Sequence, residues 1–506
     1  MKRPSAISAA SSIAAAAFAS TAWHLARNVA PPAWDDAWYL EVSFRFWSAL
    51  KSSPLAFARE YLAAFRIKAP LIALIPLPLY AALGASERVA VWANLPLAAL
   101  AAWAWSRAAA QWWRGHPRAA DAAAFGGALA ALTPLAYGLS RVFFVETLLS
   151  ALLGLFAWRC AAAQANDRRE GARLGALLGL GLLAKVTFPL LAAGFVWPAR
   201  NRLRPHAKTA LIVGALIAAT WYVENTPYVL GFAWSAGFGR VASDYAGAGG
   251  LAARLGWVKS VLRDGLSWPL SLAMAAVCLT AAAARRERSG AGIRAALWGL
   301  APLLVYAASA NHETRLIAPL LPVAALLAAR AALSFERAAA RAAATAVLLG
   351  AGLWVCADQT FRADAGHALS FNGAPSSDPG WNRGALVDAA VRAVGPGSVA
   401  AIALEHRLLN ANNLSSLAAA RGLPLHFVSL GYAQDSVEGA LIRLKDKGAS
   451  ALIVIDGLPR AQLPTFLNRA NEGVLDAVAS GRLRARETER NALAPGISAR
   501  VFRLNP

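Results

Sequence analysis

The sequence predicts an all-α polytopic membrane domain followed by a C-terminal extracytoplasmic α/β domain. Three observations predict it. The chain of 506 residues is 58% hydrophobic and only 15% charged, with a mean hydropathy of +0.44, whereas a soluble domain carries roughly 25% charged residues. Runs of about 20 apolar residues, enough to cross a hydrocarbon core at a helical rise, recur as far as residue 357. Beyond residue 358, short apolar runs alternate with helical patterns, as in a small, partly parallel sheet. The apolar content excludes disorder, and 3 cysteines exclude a disulfide scaffold.

A net charge of +22 and a pI near 10.9 invite a nucleic-acid reading. The distribution of the charge speaks against it. Basic residues cluster between apolar runs, at Arg107/Arg114/Arg118, Arg159/Arg168/Arg169/Arg173, Arg200/Arg202/Arg204/Lys208, Arg285/Arg286/Arg288/Arg294 and Arg330/Arg337/Arg341. This is the positive-inside pattern of cytoplasmic loops. Cys160, Cys278 and Cys356 are isolated and read as small apolar residues.

Residues 7–27 read as the first span after a short basic start at Lys2 and Arg3, with a cleaved signal peptide, for which AFASTA offers small-residue cleavage sites, as the alternative. Residues 28–87 read as one long outer loop, because they are rich in interface aromatics such as Trp34, Trp38 and Trp47. The apolar run inside that loop, starting at Pro70, is short and proline-broken, and reads as an interfacial or re-entrant piece. Further spans are expected at 88–109, 121–139, 143–163, 207–223, 266–284, 293–309, 313–331 and 338–357. Residues 172–199 carry Lys185 and Pro189 in mid-run with basic groups at both ends, so an up-and-back pair of short helices is expected there. The total is about eleven spans, which places residues 358–506 outside. The second sizeable outer loop is residues 224–265, where Glu224, Tyr228, Trp234, Arg240, Asp244 and Tyr245 mix polar and aromatic groups. Such a mixture suits sugars and lipid head groups, and equally suits a loop lying on the membrane.

Chemistry is sought where ionisable groups stand at the membrane boundary. Asp35 and Asp36, in Trp34-Asp35-Asp36-Ala37-Trp38-Tyr39, are two adjacent acids just after the first span. A solvated pair or a helix cap is the plain alternative. Lys68, Arg141 with Glu146, Lys185, and His312 with Arg315 all fall at outer ends under this topology. Each alone is an ordinary snorkelling anchor. Together, on the side opposite to the positive-inside bias, they form a pattern that calls for a reason.

At these residues the chain resembles the GT-C superfamily of integral membrane glycosyltransferases. The likeness is to the family 39 type, the protein O-mannosyltransferases and lipid A aminoarabinose transferases, over residues 7–330. Its elements are an Asp-acid-x-x-Tyr motif (Asp35, Asp36, Tyr39), a Lys-x-Pro entry to an apolar stretch (Lys68, Pro70) and an Arg followed by an acid (Arg141, Glu146). A GLxxLxK-like turn (Lys185) and an Arg before a Pro-xx-Pro span (Arg315, Pro319, Pro322) complete it. The resemblance implies a polyprenyl-phosphate-linked sugar donor and transfer outside the cytoplasm with inversion. The acceptor would be a lipid, a glycan or a protein. It implies an inner-membrane, multi-pass bacterial enzyme with its active site and C-terminal domain facing the periplasm.

The residue roles follow from that chemistry. A phosphate leaving group needs neutralising cations, for which Lys68, Arg141, Lys185 and Arg315 are the candidates. The acceptor hydroxyl needs a base, and Asp35 matches the family's acid position, with Asp36 orienting. Tyr39, Glu146, Glu224, Tyr228, Arg240 and His312 are substrate-binding candidates. No cofactor is expected. A divalent metal on Asp35, Asp36 and Glu146 is chemically allowed, but relatives of this type generally do without one.

The C-terminal region carries no GxGxxG spacing, so a dinucleotide site is not expected. Glu405, His406 and Arg407 follow a predicted strand, where α/β sheets tend to bind ligands, yet docking of an acceptor or a structural role is the default. Two other classes compete with the enzyme reading: a transporter or flippase for a lipid-linked saccharide, and a non-enzymatic envelope scaffold. A transporter predicts polar residues spread through span centres; here they gather at the ends.

Overall fold

The computed structural model describes residues 6–239, 241–242, 250–283, 290–362, 373–395, 397–432, 436–458 and 463–504. Arg240, Asp244, Tyr245, Arg285, Arg286 and Arg288 lie outside the described residues. The chain divides into two compact units. One comprises Met1–Arg27, Tyr61–Ile72 and Val91–Pro375; the other comprises Asn28–Glu60, Ala73–Ala90 and Ser376–Pro506.

The first unit is helical. Among the described residues, five helical stretches are long and apolar enough to cross a membrane: Glu87–Trp112, Phe188–Gly237, Ala291–Ala308, Thr314–Ser334 and Ala338–Phe361. Leu251–Gly265 and Trp268–Ala283, bent by 99°, make a sixth if taken as one. This is fewer than the expected eleven, because several expected spans are realised by shorter helices. The 121–139 span is Ala119–Ala131 followed by Pro134–Leu139, broken where Pro134 starts a new turn. The pair expected at 172–199 is present as Glu170–Ala184 and Phe188–Leu203, with Lys185 in extended backbone between them. The next helix runs from Ala207 through Gly237 despite Pro227. Glu224 and Tyr228, expected in a loop, therefore stand on that helix.

Three glycines spaced four apart, Gly171, Gly175 and Gly179, let the Glu170–Ala184 and Ala207–Gly237 helices pack closely. A Cβ on Gly175 would sit 2.6 Å from the carbonyl oxygen of Ala210, and one on Gly179 2.8 Å from that of Gly214. Small residues at one face are how helices associate where lipid offers no hydrophobic drive.

The second unit contains a five-stranded sheet of β1 (Val399–Ile402), β2 (His426–Ser429), β3 (Ala449–Asp456), β4 (Ala485–Ala494) and β5 (Ile497–Leu504), in the order β2-β1-β3-β5-β4. β1 pairs in parallel with β2 and β3; β5 is antiparallel to β3 and β4. The apolar runs of β1 and β3 match their burial on both faces of the sheet. β4, at the edge, is studded with Arg486, Glu487, Glu489 and Arg490, as an unpaired edge requires. A further helix, Arg383–Val394, precedes β1, and Asn382 caps it by accepting from the Ala385 N–H. In the same unit, the acid-bearing helix Asp35–Ser52 packs against the helix Ala411–Ala420.

Candidate functional site

The first unit brings together three of the sequence-predicted residues. Glu146 opens the helix Glu146–Ala162 and is 2% exposed. Lys185 follows the last residue of Glu170–Ala184. An acid at a helix start and a cation at a helix end each complement the local dipole. Lys185 Nζ donates to Glu146 Oε1 at 2.9 Å. Arg315 is near enough to act electrostatically on Glu146. Its guanidinium carbon lies 4.6 Å from the ring centroid of Phe144, and its Nε donates to Glu313. The second carboxylate oxygen of Glu146 has no hydrogen-bond partner among the described residues. Glu146 also borders an apolar cavity of about 50 Å³, whose wall includes Thr21, Trp105, Tyr137 and Pro322.

Arg141, only five residues before Glu146, turns elsewhere. It is buried at 2% exposure, donates to Thr360 Oγ1 at 2.6 Å and to the Gly373 carbonyl at 3.3 Å, and stacks 4.8 Å from the Tyr137 ring centre. His312 stacks on Trp257 at 5.9 Å, and neither of its ring nitrogens has a hydrogen-bond partner among the described residues. Glu224 is exposed on its helix.

Lys68 belongs to a short segment fastened to the Ala207–Gly237 helix. Tyr61 OH and Thr220 Oγ1 are 3.0 Å apart, and Asn225 Nδ2 donates to the Leu62 carbonyl at 2.8 Å. Arg66 donates to Tyr228 OH at 3.3 Å and lies 5.3 Å from its ring centre. Phe65 and Arg66 both hold positive φ, 55° and 60°. For residues with a Cβ this left-handed backbone costs roughly 1–2 kcal/mol each, and such strain persists where surrounding contacts over-determine it. Arg66 was not singled out by the sequence; only its nearness to Lys68 could have flagged it.

In the second unit, Asp35 and Asp36 are the first two residues of their helix. Asp36 is 8% and Tyr39 6% exposed. Trp34, immediately before them, takes φ 55° and ψ −124°. Further along the helix, Glu41 is buried, and its Oε1 lies 3.0 Å from His426 Nδ1 at the start of β2. Sequence reasoning missed Glu41 and His426, because 385 residues separate them. Glu405, which follows β1, is also buried; it accepts from the Ala411 N–H at 3.0 Å and from the Ser429 hydroxyl. Burial pushes its carboxyl above the usual range, opposed by those two hydrogen bonds and the nearby Arg443. Its acceptors are used within the fold, which fits a structural role. Among the described residues, no three His, Cys, Asp or Glu side chains gather as a metal ion would need.

No family model matches the chain, and no curated protein matches it. Solved structures do. ArnT from Cupriavidus metallidurans bound to undecaprenyl phosphate is 14% identical, with a TM-score of 0.62 over 97% of each chain. The oligosaccharyltransferase AglB from Archaeoglobus fulgidus, in complex with an inhibitory peptide and a dolichol-phosphate, is 11% identical. Its TM-score is 0.54 over 88% of this chain and 69% of that one. The arabinofuranosyltransferase AftD from Mycobacteria is 15% identical, with a TM-score of 0.54 over 98% of this chain and 40% of the other. At these identities the likeness is one of fold, and the fold is that of the GT-C glycosyltransferases.

Proposed function

We propose that this chain is an inner-membrane glycosyltransferase that moves a sugar from a polyprenyl phosphate to a lipid, glycan or protein acceptor outside the cytoplasm, with inversion and without a metal. The observation that carries the reading is the meeting of Lys185 and Arg315 at Glu146, on a fold that a protein bound to undecaprenyl phosphate also has. At rest the two cations face two carboxylates, Glu146 and Glu313. Glu313 is a third exposed and can yield its place to a phosphate; the buried Glu146 stays and orients Lys185. The acceptor oxygen bonds to the anomeric carbon as the carbon–oxygen bond to phosphate breaks. The phosphate leaves with the electron pair, its charge held by Lys185 and Arg315. Asp35 takes the acceptor's proton and Asp36 orients it.

Lys68 and Arg141 are proposed as further phosphate contacts, and for Arg141 this requires exchange of its bond to Thr360. Tyr39, Tyr228, Glu224, Arg240 and His312 are proposed to shape the sugar and acceptor sites. Residues 1–357 are proposed as the membrane part and 358–506 as a periplasmic part. Native mass spectrometry of the full chain in detergent with undecaprenyl phosphate tests the reading. One bound equivalent is expected, reduced at least tenfold in Lys185→Ala/Arg315→Ala. A chain that binds none overturns the proposal.

A further inference from the structure

Trp34 is among only four described non-glycine residues with positive φ, and it directly precedes Asp35. Its ψ of −124° puts it in a region that glycine occupies far more readily than tryptophan. No side chain caps the helix start from that position. Strain of this kind needs an external hold.

The hold comes from the helix Ala411–Ala420. Asn412 Nδ2 donates to the Trp34 carbonyl at 2.9 Å. That same carbonyl accepts the Trp38 N–H at 3.0 Å, the first hydrogen bond of the acid helix. Asn412 is itself fixed from below. Asn410 and Asn413 close a reciprocal capping box at 3.0 Å in each direction, and the Ala411 N–H is held by the buried Glu405. The Asn-Ala-Asn-Asn run therefore does two tasks. Its first and last members cap their own helix, and its third reaches across to the start of another.

We propose that Asn412 is a positioning residue, which fixes the backbone at Trp34 and so the direction in which Asp35 and Asp36 are presented. The consequence for transfer rests on the role proposed for Asp35; the hold on the helix start does not. A misplaced reacting group loses rate without losing substrate affinity. The C-terminal region thus acts on the reaction through one hydrogen bond to a carbonyl.

Hydrogen exchange on the full chain in detergent tests this. Asn412→Asp keeps the side-chain shape and removes the donor; Asn412→Ala serves if that variant folds poorly. At least tenfold faster exchange is expected at the amides of Trp38 to Val42, with the Ala411–Ala420 helix still protected. Turnover should fall about tenfold with the donor KM unchanged. His426→Ala cuts another contact of the same acid helix, that of Glu41 with the start of β2, and should leave the Trp38 amide protected. Unchanged exchange in Asn412→Asp, or equal loosening in His426→Ala, overturns the proposal. Faster exchange alongside full transfer by Asp35→Asn would remove Asp35 as base and still support the hold of Asn412 on the helix start.

Discussion

Lys185 Nζ stands 2.9 Å from Glu146 Oε1, joining the end of one helix to the start of another across 39 residues of sequence. The carboxylate side chain is 1% exposed and the lysine 20%. Removing one partner from such a pair strands a buried charge, which costs about 3 kcal/mol, whereas replacing both with apolar or neutral groups of similar shape costs far less. Lys185→Ala should therefore lower the unfolding temperature in detergent more than the double variant Lys185→Met/Glu146→Gln does. Equal losses would mean that the pair is not coupled.

That pair marks how far the sequence was legible. Lys185 and Glu146 were each visible as ionisable groups at apolar boundaries, and the break at Lys185 was visible because a charge and Pro189 interrupt one apolar run. Strands β1, β2 and β3 were visible as short apolar runs. What was not legible depends on contacts distant in sequence. Nothing local couples Glu41 to His426 or Asn412 to Trp34. The continuation of a helix through Pro227 to Gly237 was hidden because a proline and polar residues resemble a loop, whereas a helix can carry both when neighbouring groups take up the freed carbonyls. Arg141 shows the opposite limit: its position was visible, but its engagement with Thr360 and Tyr137 was not.

Gly175 tests the close helix contact. Any Cβ there meets the Ala210 backbone oxygen at 2.6 Å, an atom that cannot swing aside as a side chain could. Gly175→Leu should destabilise the chain by about 1–3 kcal/mol through overpacking. Gly350→Leu, where a Cβ meets open space, should cost little. Thermal unfolding of both in the same detergent checks the contrast, and similar midpoints for the two variants would contradict the packing.

Glu405 gives a pH dependence whose sign is fixed. Burial raises its carboxyl in the folded chain above the unfolded value, so the folded chain holds the proton more readily. Its contribution to stability is present below the unfolded value and is lost as pH rises through the folded one. Glu405→Gln removes this titration while keeping an acceptor for Ala411. The change in unfolding temperature between pH 5 and pH 8 should be smaller in the variant than in the unchanged chain. A pH response identical in both proteins would show that Glu405 does not titrate differently on folding.

Asp35 and Lys185 should fail in different ways, because a base and a phosphate ligand act on different atoms. A general base contributes about 10²–10⁴-fold to rate and need not touch the lipid phosphate. Asp35→Asn should therefore abolish most transfer while undecaprenyl phosphate still binds. Lys185→Ala should weaken that binding, since it removes a cation proposed to hold the phosphate. Asp36→Asn, which keeps a hydrogen-bonding group of the same shape, should lose less than Asp35→Asn. Initial rates with a radiolabelled polyprenyl-phosphate sugar, set beside native mass spectra of the bound lipid, separate the two. If Asp35→Asn transfers sugar at the normal rate, the proton goes to another group, and the cation cluster at Glu146 must be read apart from the acids that precede Tyr39.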